Sequence, residues 1–250
     1  MFGILFIALL VMSFLFTLLG LGGGIVYMPI ISWAGYDLKS VALPTALLLN
    51  AVSTAIASWH YANKSMINYK ASYPIIIATF IITPVGAYIS THLSEIIIVN
   101  LYVVFLLIAI LLMLSQHKFM SLLGKHFPIP SKPIFLSTSA GLFIGFISGL
   151  LGVAGGVFVL PILLLLGIKS KMAIATATYV VMWASIIGAA SHISLGHFEY
   201  QIMLLGALAV LIGGYSGAYF VEKFVKPNYI KYLFSSFLLI VAVKTYYPYL

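Results

Sequence analysis

The chain has no cysteine, no arginine and only four acidic residues in 250. Without cysteine there can be no disulfide, thiolate metal site or thiol nucleophile. Asp37, Glu95, Glu199 and Glu222 all fall between apolar runs, so no carboxylate stands mid-segment to relay protons. Charged residues of every kind amount to 6%. The twelve basic residues are all lysines, placed singly or in pairs between apolar runs. That pattern belongs to membrane loops, so the net charge of +8 does not point to nucleic acid as a partner. No glycine-lysine phosphate loop is present, and neither a cofactor nor a metal is expected.

Apolar residues are what the chain has in excess. They make up 63% of it, with a mean hydropathy of +1.19, and runs near 20 residues recur throughout. No soluble core of this length hides so much apolar surface. The runs are continuous and lack a period of two, which excludes a transmembrane β-barrel. The composition therefore predicts an all-α, multi-pass integral protein of the cell membrane, with the lipid bilayer as its partner. The opening stretch "MFGILFIALLVMSFLF" has no basic lead and runs into glycines, so it reads as a retained helix.

The chain repeats itself. At an offset of 132, Gly20, Gly23, Gly24, Pro29, Gly35 and His60 fall on Gly152, Gly155, Gly156, Pro161, Gly167 and His192. With one residue of slip, Gly86-Ala87-Tyr88 matches Gly217-Ala218-Tyr219. This divides the chain into repeats over 1–118 and 133–250, joined by a polar linker over 119–132. Each repeat carries five apolar segments, about 2–19, 24–35, 41–61, 71–91 and 96–114, then about 133–151, 156–168, 172–193, 200–220 and 229–247. The second segment of each repeat is too short to cross a hydrocarbon core of about 30 Å upright, and it follows glycines. Each is expected to be a broken or re-entrant helix.

Lysine positions orient the repeats. If the first two segments form a hairpin, ten lysines share one side and only Lys39 and Lys244 the other. If those segments are a single crossing, the chain has eight spans and the lysines divide six and six. The positive-inside rule favours the first arrangement. It makes the two repeats inverted, with both termini outside and the linker cytoplasmic. Inverted repeats with interrupted helices are a recurrent plan of secondary transporters, whose substrate sits where the broken segments meet.

The paired glycine-proline motifs, "GLGGGIVYMP" at 20–29 and "GVAGGVFVLP" at 152–161, resemble those of the sulfite exporter TauE/SafE family. The resemblance covers nearly the whole chain. The second copy is the closer, with its ladder Gly141, Gly145, Gly149, Gly152, the "ATAT" of 175–178 and the "GHFEY" of 196–200. The first copy has Ser13 and Thr17 where the ladder has Gly145 and Gly149, and the second has Ala154 where the first glycine of the triplet would be. The resemblance implies a transporter of small anions, sulfite and organosulfonates among them.

The residues support an anion site independently. A helix N-terminus exposes unpaired amides and the positive end of the dipole, and glycines ahead of it let an anion approach the backbone. Gly22, Gly23 and Gly24, with Gly155 and Gly156, are the expected contacts. The ladder glycines are assigned to helix packing. Thr45, Asn50 and Ser53 in the third segment, and Thr176, Thr178 and Ser185 in the eighth, are neutral donors suited to an oxyanion. Bonding to the preceding helical turn is the competing use of each hydroxyl. Pro29 and Pro161 kink their short helices and free a carbonyl, which could also ligate a cation. His60 and His192 recur symmetrically and are candidates for a coupled proton, with an interfacial position as the plainer alternative. The coupling ion would be H+ or Na+.

These readings converge on a secondary transporter of a small sulfur-containing oxyanion, working by alternating access. Export is expected, because an inside-negative potential expels anions at ~2.3 kcal/mol per charge per 100 mV. The alternatives are a passive anion channel and a non-transporting assembly subunit. An intramembrane hydrolase built on Ser148 and His192 lacks an orienting acid, and Ser148 falls on Phe16 in the other repeat, so no enzyme is expected.

Overall fold

The computed structural model describes residues 2–18, 22–126, 133–153, 155–193, 200–224 and 227–247. Gly20, Ala154, residues 127–132 of the linker, residues 196–199 of the "GHFEY" motif and both chain ends lie outside the described residues. So do Lys132 and Lys226 among the lysines used for orientation.

Ten α-helices follow one another, and no strand occurs among the described residues. They are α1 (Phe2–Thr17), α2 (Gly24–Trp33), α3 (Leu43–Asn63), α4 (Tyr69–His92), α5 (Glu95–His126), α6 (Pro133–Leu151), α7 (Gly156–Leu165), α8 (Ser170–Ile193), α9 (Tyr200–Phe224) and α10 (Pro227–Tyr246). A π-helical turn over Leu38–Ala42 leads into α3. The five-plus-five division expected from the apolar runs matches these helices one for one. Among the described residues, six stretches are long and apolar enough to cross a membrane: Leu38–Asn63, Tyr69–His92, Glu95–Leu112, Ile134–Leu151, Ser170–Ile193 and Tyr200–Phe220. The chain is an all-α integral membrane protein. α5 continues beyond its apolar run to His126, into the polar stretch expected to connect the repeats.

Helices α2 and α7 have ten residues each, about 15 Å of rise, half the hydrocarbon thickness. Each starts at a glycine and carries a proline inside. Proline at position 29 supplies no amide to the Ile25 carbonyl one turn earlier. Tyr102 of α5 donates its hydroxyl to that carbonyl instead. The freed acceptor is thus hydrogen-bonded across to α5.

The packing exchanges helices between the first five and the last five. α1 lies on α9, and α6 lies on α4. α3 meets α9, as α8 meets α4; α2 meets α10, as α7 meets α5. α3 and α8 pack on each other, and so do α5 and α10. Each of these pairings has its counterpart when the two sets of five helices are interchanged. Two groups result, α1, α2, α3, α9 and α10 against α6, α7, α8, α4 and α5. α3 and α8 are the innermost spans, 72% buried, against 33% for the apolar part of α5. Ile77, Phe80 and Ile81 of α4 and Leu204, Leu208 and Ile212 of α9 project outward, as a lipid-facing surface requires.

Glycines set how closely these helices approach. A Cβ on Gly141 would lie 2.4 Å from the Ile75 carbonyl oxygen, and one on Gly149 2.1 Å from that of Thr83. From the other side, a Cβ on Gly86 would lie 2.4 Å from the Phe146 oxygen. The ladder is a packing seam between α6 and α4, where small residues let backbones touch. In the symmetric contact the small residues change sides. α1 carries Ser13 and Thr17, and the glycines are on α9. A Cβ on Gly213 would meet the Leu10 oxygen at 2.4 Å, and one on Gly217 the Phe14 oxygen at 2.6 Å.

Charged groups stay at the ends. Lys39 donates to the Thr91 and Leu93 carbonyls at 2.8 and 2.9 Å, tying off the end of α4. Asp37 caps the turn into α3, accepting from the Ser40 amide and hydroxyl at 2.7 and 2.6 Å. Those two bonds hold its carboxyl below the usual carboxylate range.

Candidate functional site

The start of α2 is a backbone turn made by three glycines and occupied by a side chain. Gly22 has φ +62°, in the left-handed region, and Gly23 follows as the N-cap. The first helical amide, that of Gly24, donates to Oδ1 of Asn50 at 2.8 Å. Asn50 lies flat against the triplet. A Cβ on Gly22 would come 2.2 Å from Oδ1, and one on Gly24 2.8 Å from Cγ. Any side chain at either position displaces Asn50.

The rest of the carboxamide reaches the other group of helices. Its Nδ2 donates to the Ser185 hydroxyl of α8 at 2.7 Å, and Ser185 donates onward to the Val181 carbonyl at 2.7 Å. Asn50 and Ser185 are both fully buried. A buried carboxamide without partners is costly in lipid, and these two bonds offset that cost.

Tyr27 completes the turn. It sits one helical turn after Gly23, and its side chain runs back toward the helix start, as long side chains in helices do. A Cβ on Gly23 would lie 2.1 Å from its hydroxyl oxygen. The residue is fully buried, and the hydroxyl has no hydrogen-bond partner. Its polar neighbours are Ser13, Ser53 and the Gly23 backbone. Ser13 of α1 donates to the Val210 carbonyl of α9 at 2.9 Å, so the 2.9 Å contact between Ser13 and Ser53 uses the Ser53 proton. The Tyr27 proton is left as a buried, unclaimed donor at the head of α2. No lysine takes part in this cluster. Whatever binds there meets neutral donors and a helix dipole.

The second repeat does not copy this chemistry. Gly152 and Gly155 also adopt left-handed backbone, at φ +66° and +60°. Among the described residues, no side-chain bond to the first amides of α7 corresponds to that of Asn50 on α2. A Cβ on Gly155 would meet Ile144 at 2.7 Å, and one on Gly152 would meet Leu43 at 2.3 Å. At the offset of the repeat, Met182 stands for Asn50, Gly145 for Ser13 and Val159 for Tyr27. Only Ser53 and Ser185 correspond, and Ser185 serves the Asn50 side. The two glycine termini are related in backbone and unlike in polarity.

The remaining candidates separate into committed and uncommitted groups. Thr176 accepts from the Asn68 amide at 2.9 Å and donates to the Met172 carbonyl at 2.7 Å, holding the approach to α4. Thr178 donates to the Ile174 carbonyl one turn back at 2.9 Å. Thr45 is fully buried with an unpartnered hydroxyl. His60 and His192 correspond in sequence and differ in surroundings. His192 is joined to the Gly149 carbonyl through Nε2 at 2.7 Å, which requires the proton on that nitrogen. His60 faces the rings of Tyr61, Tyr215 and Tyr219. The Ser148 hydroxyl has no partner, so Ser148 and His192 form no nucleophile–base pair. Among the described residues no group of histidines and acids could hold a metal.

Ser13, Tyr27 and Tyr102 were not singled out as site or packing residues by their sequence positions. Ser13 did stand out as a break in the ladder. Tyr27 is marked only by lying inside the first glycine-proline motif and not the second.

Comparison with known proteins gives a consistent result. The family model described as "Sulfite exporter TauE/SafE" matches residues 5–245. A protein of Sinorhizobium fredii named "Probable membrane transporter protein" is 27% identical over 243 residues, 95% of each chain. One of the same descriptive name from Methanocaldococcus jannaschii is 24% identical over 244 residues, 91% of this chain and 89% of its own. A third, from Bacillus subtilis, is 25% identical over 222 residues, 80% of each. These names are of membrane transporters, not enzymes. No solved structure matches the chain.

Proposed function

The chain belongs to the sulfite exporter TauE/SafE family, and from that premise we propose that it is a secondary transporter of a small sulfur-containing oxyanion such as sulfite or an organosulfonate. The observation that carries the reading is the head of α2. There the Gly24 amide, the Tyr27 hydroxyl and the Asn50 carboxamide converge in a fully buried turn between α1, α3, α8 and α9.

An oxyanion suits this place on three counts. The helix terminus carries partial positive charge. The donors are neutral, so the anion can be released at modest cost. The glycines have no side chains of their own to cover the backbone it would touch. Its cargo leaves the cell down an inside-negative potential, so the direction is export.

In this proposal the two repeats, 1–118 and 133–250, are inverted about the cytoplasmic linker 119–132, with both termini outside. The helix exchange supports an alternating-access cycle in which the moving bodies are mixed. One comprises α1, α2, α3, α9 and α10, and the other α6, α7, α8, α4 and α5. Access changes by rocking at the α3–α8 contact, with the site at its edge. Complete burial of Asn50, Ser53, Ser185 and Tyr27 favours an occluding transporter over an open channel.

The test is flux of labelled sulfite from proteoliposomes under imposed potential and pH gradients, with sulfate, methanesulfonate and thiosulfate as competitors. Saturable, competitor-sensitive flux is expected. Its response to the pH gradient tests H+ coupling, and a sodium gradient imposed in the same way tests Na+ coupling. Absence of flux for every anion, from protein shown to be folded, overturns the reading.

A further inference from the structure

Asn50 offers Gly24 the kind of atom an oxyanion would offer. Its Oδ1 accepts the first amide of α2 at 2.8 Å and presses into the concave side of the glycine turn, 2.2 Å from where a Gly22 Cβ would be. One amide oxygen satisfies one donor. The Tyr27 hydroxyl at the same turn stays unsatisfied, buried and unclaimed. A pyramidal or tetrahedral oxyanion brings several acceptor oxygens and a full negative charge, enough for the Gly24 amide and the Tyr27 hydroxyl together. The pocket chemistry is thus complete for an oxyanion and incomplete for the carboxamide.

The two ends of the carboxamide are bonded to different helix groups. Oδ1 holds the start of α2, while Nδ2 donates at 2.7 Å to Ser185 of α8. The group is planar and turns as a unit about χ2. Oδ1 therefore cannot leave Gly24 by rotation without also moving Nδ2 away from Ser185.

We propose that the Asn50 carboxamide is an internal stand-in for the substrate: an entering oxyanion displaces it from Gly24, and the same rotation releases Ser185 and loosens the α3–α8 contact. Occupancy is thereby coupled to opening through a single side chain. The empty carrier is held shut, and the loaded one is freed to move. This inference rests on the transport reading of the same site.

The test titrates the purified full chain with sodium sulfite, following binding by its rise in melting temperature, alongside sulfite flux. Ser185→Ala cuts the far bond and leaves Gly24 untouched. The stand-in is then held less firmly, so sulfite binds about threefold to tenfold more tightly while saturated flux falls. Asn50→Asp places a permanent carboxylate in the site; flux is lost, and sulfite no longer raises the melting temperature. Asn50→Ala, which serves if the carboxylate variant does not fold, binds sulfite at least as tightly as the parent and transports it poorly.

Unchanged sulfite affinity in Ser185→Ala, or weakened affinity in Asn50→Ala, overturns the stand-in and leaves Asn50 an ordinary fastener or ligand. If the parent chain neither binds nor moves sulfite, sulfate, methanesulfonate or thiosulfate, the transport reading itself falls, and the stand-in with it.

Discussion

The amide nitrogen of Gly24 lies 2.8 Å from Oδ1 of Asn50, across 26 residues of chain. This contact explains why the first glycine triplet tolerates no side chain. The triplet leaves room for a carboxamide from α3 to lie against the backbone. Gly22 carries two penalties for substitution, a left-handed φ of +62° and a 2.2 Å approach to Oδ1. Gly22→Ala is expected to cost about 1–3 kcal/mol of stability and to abolish sulfite flux. Thermal melting and proteoliposome flux on the same preparation check this. Parent-like flux from Gly22→Ala would rule out a tight glycine turn at the site.

Tyr27→Phe should separate binding from folding. The hydroxyl it removes is buried and makes no hydrogen bond, so its loss removes a desolvation cost. The melting temperature is expected to stay level or rise, while sulfite flux falls at least about tenfold for the lost charge-assisted bond. A drop in melting temperature with flux intact would mean the hydroxyl has a structural partner and no ligand role.

Pro29 and Tyr102 form a testable pair. Tyr102→Phe strands the Ile25 carbonyl in the core and should cost about 1–3 kcal/mol. Pro29→Ala restores an amide one turn after Ile25, which can take over that carbonyl. The double variant should therefore be more stable than the sum of the singles predicts, a coupling of at least about 0.5 kcal/mol. Strict additivity in the melting data would contradict the assigned bond.

The ladder glycines should respond through stability. Gly149→Ala drives a Cβ to 2.1 Å from the Thr83 carbonyl oxygen, where backbone cannot yield cheaply. A loss of about 1–3 kcal/mol is expected, from overpacking of α6 on α4. Gly206→Ala meets only side-chain carbons, those of Leu49 at 2.8 and 2.9 Å and of Leu9 at 3.3 Å, and should cost less. Equal melting temperatures for the two variants would place the seam elsewhere.

Asp37 gives a pH dependence outside the membrane-spanning segments. Bonds from the Ser40 hydroxyl and amide lower its folded pKa beneath the unfolded one. The unfolded chain thus binds the proton more readily. The stabilising contribution is fully present above the ordinary carboxylate range and disappears as pH falls through the depressed folded value. Ser40→Ala should flatten that acid-side loss. A melting profile of unchanged shape in the variant would remove Asp37 as its source.

Much of the fold was readable because a bilayer leaves the chain few choices. Runs such as 71–91 and 172–193 must form helices, since lipid cannot satisfy free amides, and α4 and α8 follow them closely. The recurrence of Gly24-Pro29 as Gly156-Pro161 likewise marked two short helices correctly. The ladder Gly141, Gly145, Gly149 was read as packing, and its contacts with α4 bear that out. The extent of α5 was missed, because amphipathic residues past 114 can continue a helix outside hydrocarbon.

The site was less readable, because hydrogen bonds between distant residues leave no periodic trace. Thr176, Thr178, Ser185 and Asn50 share the polarity of a ligand set. Yet Thr176 supports Asn68, and Thr178 bonds its own helix. The histidines correspond in sequence and differ in surroundings, since His192 meets a carbonyl and His60 meets aromatic rings.

By itself the sequence determined the class, the ten helices and the two glycine breaks. These follow from hydropathy, length and backbone freedom, which act locally along the chain. Only the tertiary structure decided which helices exchange partners, and that Asn50, Tyr27 and Ser13 gather at α2 while α7 is packed by apolar side chains. The physical reason is that a buried polar group takes its value from its partners, and partners from different helices are chosen by packing.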